Sequence, residues 1–380
     1  MQNNKQKPPR PILAPTDIFC GERLQVAREF RGLTQAKLAE IVAAAPSLIS
    51  YCEAGKKQEP SRDLVEAFAS ALGFEPEFFY QPVHDIFRDE ECSFRHRRTT
   101  PGKTKTQVIA HATLVAMVVE KLRGVFRFPK LDVPEMRATT AEEIEIAAEL
   151  CRSHWRLGLD SPLMHVGRAA EHAGIFVIPH LEHSEKIDAF SRRGKTTIIF
   201  LNQAIQSTSR WNFDIAHEIG HIVTHKNMIT GDEETEAAAD RFASAFLMPR
   251  RAFEREFRAK AFSWNFIFEM KRRWQASAAA IIRRAYDLHL IDAIIYRRAY
   301  QYMSAQGWRT KGEPYEPPFQ KPELINMALT SLGNRVDLTP EDLCADLHFA
   351  PKTFQEVTGV VLPPKTKVIN KAEVLEFKSK

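Results

Sequence analysis

The segment FDIAHEIGHIVTH, residues 213–225, sets His217 and His221 four residues apart, with Glu218 directly after the first histidine. On a helix this spacing puts both imidazoles on one face, about one turn apart, where they can share a tetrahedral Zn2+. Glu218 lies about 100° further round the helix and can reach a water on the metal without ligating the metal itself. Zinc lowers the pKa of such a water towards ~7, and a carboxylate placed like Glu218 takes its proton as the oxygen attacks a peptide carbonyl. A catalytic zinc also needs a third protein ligand and one open position. His225 is a further turn along, too far up the axis to join the same ion, so it suits a packing or supporting role. Glu236 and Asp240 are four apart and can both face the histidine helix, one as ligand and one to orient a ligand histidine. Asp232, Glu233 and Glu234 compete for the ligand role, and they equally suit the acidic first turn of a helix.

These residues need a helix for the histidines and a second helix for the carboxylates. The first is expected from near Ser209, and the second over EETEAAADRFASAFLMP, ending before Pro249. Upstream, GIFVIPHL (174–181) and KTTIIFLNQ (195–203) read as strands, with KIDAFSRRG between them as a third. Helical patterns fill 108–170 and 250–305, and short helices follow the proline-rich break GEPYEPPFQKP. Trp274 and Ser277 mark the start of one helix whose arginines face either a ligand or plain solvent. Between 17 and 80 four short amphipathic helices are expected. Thr34 and Ser61 are their capping residues, Pro46 opens the third, and Gly32, Gly55 and Gly73 are stops. Residues 84–107 are polar, charged and broken by Pro101 and Gly102, as in a basic linker. No internal repeat is visible.

The 380 residues are 44% hydrophobic and 27% charged, which suits a globular chain of two or three domains. Five scattered cysteines without a CxxC pair argue against a disulfide framework and suit a reducing cytosol. The first residues lack the apolar core of a signal peptide, and HATLVAMVVEKLRG is too short to span a bilayer. A net charge of +5 permits nucleic-acid binding without establishing it.

DAFS, then RWNFDIAHEIGHIVTH, then EAAADRFASAFLMP together resemble the ImmA/IrrE family of metallopeptidases, over roughly residues 140–250. The resemblance implies a gluzincin-like fold with a small sheet over the active-site helix. In that fold His217, His221 and Glu236 would be the zinc ligands, Glu218 the general base and Asp240 the orienting carboxylate. In many members the acidic residue stands four before the Phe of the last motif. Here that position is Ala238, and the nearest glutamate upstream is Glu236, the position a related branch uses. The strand TTIIFLN would offer an edge to an extended peptide. His183 and Arg210 are the candidates for stabilising developing negative charge.

Residues 20–73, through LTQAKLAEIVAAAPSLISYCEAGKKQEPS, resemble the XRE/Cro-type helix-turn-helix family. The resemblance puts Gln35 on a backbone phosphate and Pro46, Ser47, Ser50 and Tyr51 at base edges, with Lys56 and Lys57 on phosphates. Ala43 and Ala45 replace the usual turn glycine and capping hydroxyl, and no Gln or Arg stands on the reading face. GWRTKGEP (307–314) resembles the region after the peptidase in longer proteins that join these two domains.

The expected fold is mainly α with a small sheet. It comprises a flexible arm (1–16), an all-α helix-turn-helix domain (17–82), a basic linker (83–107), an α+β zincin-like metallopeptidase domain (108–250), a helical extension (251–315) and a C-terminal helical region without assigned chemistry (316–380). The expected function is that of a cytoplasmic DNA-binding regulator whose zinc endopeptidase cleaves a repressor or antitoxin. Its expected partners are DNA, that protein substrate and a second copy in a homodimer, with no membrane. The alternative is a non-proteolytic transcription factor or antitoxin whose HEIGH helix holds zinc as a structural or sensing element. The alternative for the head is a helical domain that binds protein or only dimerises.

Overall fold

The computed structural model describes residues 18–56, 59–82, 86–87, 92–96, 102–180, 187–226, 228, 230–332 and 338–362. The expectations for the arm 1–16, Lys57 and His183 therefore lie outside the described residues. The chain is mainly helical with one small sheet. The head begins with α1 (Gly21–Phe30), α2 (Gln35–Ile41), α3 (Pro46–Glu53) and α4 (Arg62–Leu72), followed by a 3-10 turn at Pro76–Tyr80. The Thr34 hydroxyl caps α2 by accepting the Lys37 N–H at 3.1 Å, and Pro46 opens α3, where its missing N–H costs nothing. Ala43 takes the left-handed conformation, φ 51°, in the turn between them. Gly73 ends α4 at φ 76°, a left-handed conformation that favours glycine; a Cβ there would lie 2.6 Å from the Arg31 guanidinium and 2.9 Å from Thr353 Oγ1, and would displace both side chains.

Next come β1 (Cys92–His96), α5 (Gly102–Arg123), α6 (Ala141–His154), α7 (Val166–His172), β2 (Phe176–His180), β3 (Ile187–Arg192) and β4 (Ile198–Asn202). The strands form one sheet in the order β1-β3-β4-β2, antiparallel except for the parallel β4–β2 pair. Two expectations change here. Part of the stretch read as a linker, 83–107, supplies β1 and the start of α5. And β4, read as an edge open to a peptide, is central, because β3 and β2 flank it. Its unbroken burial is the mark of a strand covered on both faces.

The two faces belong to different cores. Phe176, Ile178, Phe190, Ile198 and Phe200 join the head and the apolar α5, while Val177, Ala189, Ile199 and Leu201 join the helices that follow. α5 is apolar around most of its circumference because α1 covers one side and β2 another. No helix among the described residues is long and apolar enough to cross a membrane.

The second core is built by α6 and α7 together with α8 (Thr208–Thr224), α9 (Glu233–Leu247), α10 (Arg250–Arg258), α11 (Trp264–Trp274), α12 (Ala278–Asp287) and α13 (Ala293–Ala305). A short α14 (Trp308–Lys311) precedes the proline-rich segment, and α15 (Leu324–Ser331), α16 (Pro340–Asp346) and α17 (Pro351–Thr358) return to the head. Of the arginines read as facing a ligand or solvent, Arg284 does neither. It is buried, donating to Glu145 and to the Met248 carbonyl at 3.1 Å.

The proline-rich segment is a strap across two helix ends. Glu316 accepts from Ser209 N–H at 2.7 Å at the start of α8, and Glu313 accepts from Ala278 N–H at 2.7 Å at the start of α12. Both meet the fully buried Lys271, at 2.7 and 2.8 Å. A carboxylate at a helix N-terminus satisfies N–H groups that have no partner within the helix and opposes the positive end of the dipole. Burial alone would raise the Glu316 pKa, but Lys271 and the α8 donors outweigh it and hold the carboxyl below its ordinary value. Its contribution to stability is thus complete above the unfolded glutamate pKa of about 4.3 and is lost as pH falls through the lower folded value. Lys271→Met leaves the two carboxylates facing each other without their cation. Urea unfolding should show a loss on the order of 3 kcal/mol.

Candidate metal centre

α8 carries His217, Glu218 and His221, all buried, and its side opposite α9 rests on β3 and β4. Gly220 allows the contact with α9: a Cβ there would meet the Phe242 side chain at 3.1–3.2 Å. The two helices can therefore lie close enough for Glu236, in the first turns of α9, to reach both histidines. Its Oε1 is 3.2 Å from His221 Nε2 and its Oε2 is 3.4 Å from His217 Nε2, while the two Nε2 atoms are 3.1 Å apart. Zinc bonds of about 2.0–2.1 Å at tetrahedral angles hold neighbouring donors about 3.3 Å apart, so the three atoms fit one such ion. Among the described residues this is the one group of three or more His, Cys, Asp or Glu side chains with ligand atoms close enough to hold a metal. Asp232, which competed for the ligand role, instead caps α9, accepting from Glu234 and Thr235 N–H. Glu233 and Glu234 occupy the first turn beside it.

The remaining ring nitrogens have defined partners. His217 Nδ1–H donates to Asp240 Oδ1 at 2.8 Å, which turns the Nε2 lone pair toward His221 and Glu236. His221 Nδ1 lies 3.0 Å from His225 Nδ1. His225, expected as a bystander to the ligand set, thus touches a ligand candidate from behind and also ends α8. Burial pushes the His221 pKa down to about 4, so its imidazole is neutral at pH 7, the form that ligates metal. Burial would raise Glu236, but hydrogen bonds and charge from His217 and His221 outweigh it and hold the carboxyl well below the usual range. Two imidazoles and one carboxylate are a donor set suited to zinc.

Glu218 is fully buried, and Ser191 Oγ on β3 donates to its Oε2 at 2.5 Å. Ser191, the last residue of DAFS, has no role assigned from the sequence. A polar side chain two residues from Ala189, on the strand face turned to an apolar core, was the signal available. Beyond β3 runs β1, antiparallel, with Ser93 at the register position opposite Ser191. A cleft of about 990 Å³ adjoins the centre, lined by His225, Asp240, Asp188, Arg210, Arg137 and Arg283. Arg210, a candidate for charge stabilisation, pairs with Asp188 at 3.7 Å in its wall.

On the head, Pro46, Ser47, Tyr51 and Lys56 are exposed and Ser50 is half-buried, all on or just after α3. Gln35, expected on a phosphate, donates instead to Glu53 at 2.6 Å, and Glu53 is held in turn by Arg28 Nε at 2.5 Å. Leu38 and Ile49 are fully buried core residues.

Asp240→Ala removes the acceptor for His217 Nδ1–H while leaving all three candidate ligands. Competition with a chromogenic chelator should show zinc affinity reduced by roughly 10- to 100-fold.

Comparison with known proteins agrees with this geometry. Residues 170–286 match the model of the IrrE N-terminal-like domain, a peptidase family, and residues 20–77 match that of a helix-turn-helix domain. No curated protein matches the chain. Over these two stretches the chain is similar to a helix-turn-helix domain and to a peptidase-family domain of the IrrE N-terminal-like type.

Proposed function

We propose that this chain is a DNA-binding transcriptional regulator whose second domain is a zinc-dependent endopeptidase, acting in the cytoplasm on a repressor or antitoxin protein. The observation that carries the peptidase reading is the meeting of His217 Nε2, His221 Nε2 and Glu236 beside the buried carboxylate of Glu218. His217, His221 and Glu236 would hold the zinc, and Asp240 would fix the tautomer of His217. When bound, zinc would supply Lewis-acid polarisation of the scissile carbonyl and acidify a water. Glu218 accepts the proton of the attacking water and delivers it to the leaving amide nitrogen. Ser191 holds one Glu218 oxygen and so aims the other. On the DNA side, Lys56 and Lys57 contact phosphates, and Pro46, Ser47, Ser50 and Tyr51 face base edges. With Gln35 committed to Glu53, the start of α2 contributes less to phosphate binding than the resemblance implies. Small side chains on the reading face favour modest sequence discrimination.

A second reading, a non-proteolytic regulator that holds zinc as a sensor, draws on β1, which covers the edge of β3 beside Ser191. One pair of experiments separates the two. Metal content and cleavage of repressors encoded beside the gene are compared for wild type and Glu218→Gln. The peptidase reading requires equal zinc in both proteins and cleavage only in the wild type. Zinc without cleavage in either favours the sensor, and equal cleavage by both overturns the role of Glu218. Separately, Lys56→Glu should weaken duplex binding uniformly across sequences and flatten its salt dependence by about one unit of slope.

A further inference from the structure

The C-terminal helices repeat the head. α16 (Pro340–Asp346) and α17 (Pro351–Thr358) have the lengths and separation of α2 (Gln35–Ile41) and α3 (Pro46–Glu53), at a constant offset of 305 residues. The agreement reaches single atoms. Thr339 caps α16 by accepting the Asp342 N–H at 3.1 Å, as Thr34 accepts the Lys37 N–H in α2. His348 takes φ 56° where Ala43 takes 51°. The turn bonds Phe349 N–H to Cys344 O and His348 N–H to Ala345 O reproduce Ala44 to Ala39 and Ala43 to Glu40. A proline opens the second helix of each unit after an alanine, and Leu343, Phe354 and Val357 are buried where Leu38, Ile49 and Cys52 are. Aligned over 33–54 and 338–359, only five of 22 residues are identical, so the repeat is hidden in the sequence.

What differs is the surface that would meet DNA. Gln35 becomes Pro340, Lys37 becomes Asp342, and Lys56 and Lys57 become Val361 and Leu362. Residues 34–57 hold three lysines and two carboxylates; residues 339–362 hold one lysine and four carboxylates. A duplex backbone is bound through cations, and a net negative unit repels it. The position of Tyr51 is taken by Glu356, which pairs with Arg31 of the head. Arg31 also donates to Thr353 Oγ1 at 2.5 Å and to the Leu72 carbonyl at 2.6 Å, and Thr353 in turn donates to Gly73 O at 2.5 Å. The turn of the second unit pairs with the loop after α4, through Glu75 N–H to His348 O at 2.9 Å and an antiparallel bridge between Phe74 and Phe349.

We propose that residues 339–358 form a second helix-turn-helix unit whose partner is the chain's own head and the adjoining α5, with the face of its recognition helix spent on Arg31, the end of α4 and α5 in place of DNA. This gives the C-terminal region a role: it braces the head from behind and leaves α3 open.

The test uses the full chain. Thr353→Val with Glu356→Gln removes the polar part of the brace, and Lys352→Glu with Gln355→Ala alters the exposed face of α17. Two quantities are measured: amide hydrogen exchange across residues 21–80, and affinity for a mixed-sequence 30-bp duplex at fixed salt. The brace variant should exchange about tenfold faster at the end of α4 and the 76–80 turn, with α8 and α9 unchanged. The exposed-face variant should bind the duplex within twofold of wild type. A fivefold or greater loss in the exposed-face variant would make α17 a DNA reader and overturn the proposal, as would unaltered exchange in the brace variant. Lys56→Glu serves as control: if it too leaves duplex affinity unchanged, the DNA reading of the head is at fault, and the exchange result alone decides the brace.

Discussion

A four-stranded sheet with apolar side chains on both faces must be covered on both, and here the covers come from the two halves of the chain. Phe190 and Phe200, stacked with centroids 4.7 Å apart, face the head and α5, while Ala189, Ile199 and Leu201 face α8. Removing α5 would expose one face of a sheet whose other face supports the metal centre, and separating the head would uncover the side of α5 that α1 packs against. At about 25 cal/mol per Å² of apolar surface, exposing several large side chains rivals the net stability of an ordinary domain. The head, α5 and one face of the sheet therefore share a continuous apolar core, although the head and the peptidase-like layer match two separate family models.

The same economy of shared elements sets up the candidate site. α8 is fixed at its start by the strap through Glu316, along its length by β3 and β4, and on its other side by α9 at Gly220. Ionisable groups in such a place are stable only with defined partners. Asp240 takes one nitrogen of His217, His225 faces one of His221, and Ser191 takes one oxygen of Glu218. These partners hold the remaining donor atoms in place before any ligand arrives.

The metal-centre residues were legible in the sequence because helix geometry converts a spacing of four into a shared face without tertiary information. Thr34, Pro46 and Gly73 were legible for a similar reason, since caps and stops follow local backbone chemistry. Spacing alone left Asp232, Glu233 and Glu234 as rivals to Glu236, and it is the placement of α9 against α8, with no side chain at Gly220, that brings Glu236 to both histidines. β1 was hidden because an edge strand is held by backbone hydrogen bonds, which leave little trace in a segment as charged as DEECSFRHRR. The strap was visible as a proline-rich break, but which helix ends Glu313 and Glu316 would cap depended on the fold. The likeness of 338–359 to 33–54 leaves little trace in the sequence because a core tolerates exchange of one apolar residue for another, such as phenylalanine for isoleucine, provided the pattern is kept.

The pairing of β1 with β3 makes the outer edge of that strand a contested position. An extended polypeptide that adds there must take the place of β1, exchanging one ladder of backbone hydrogen bonds for another, so the backbone contribution nearly cancels. The resident strand is tethered, and a tethered competitor acts at an effective concentration on the order of millimolar. A visiting chain therefore succeeds through its side chains, or through an event that draws 92–96 away.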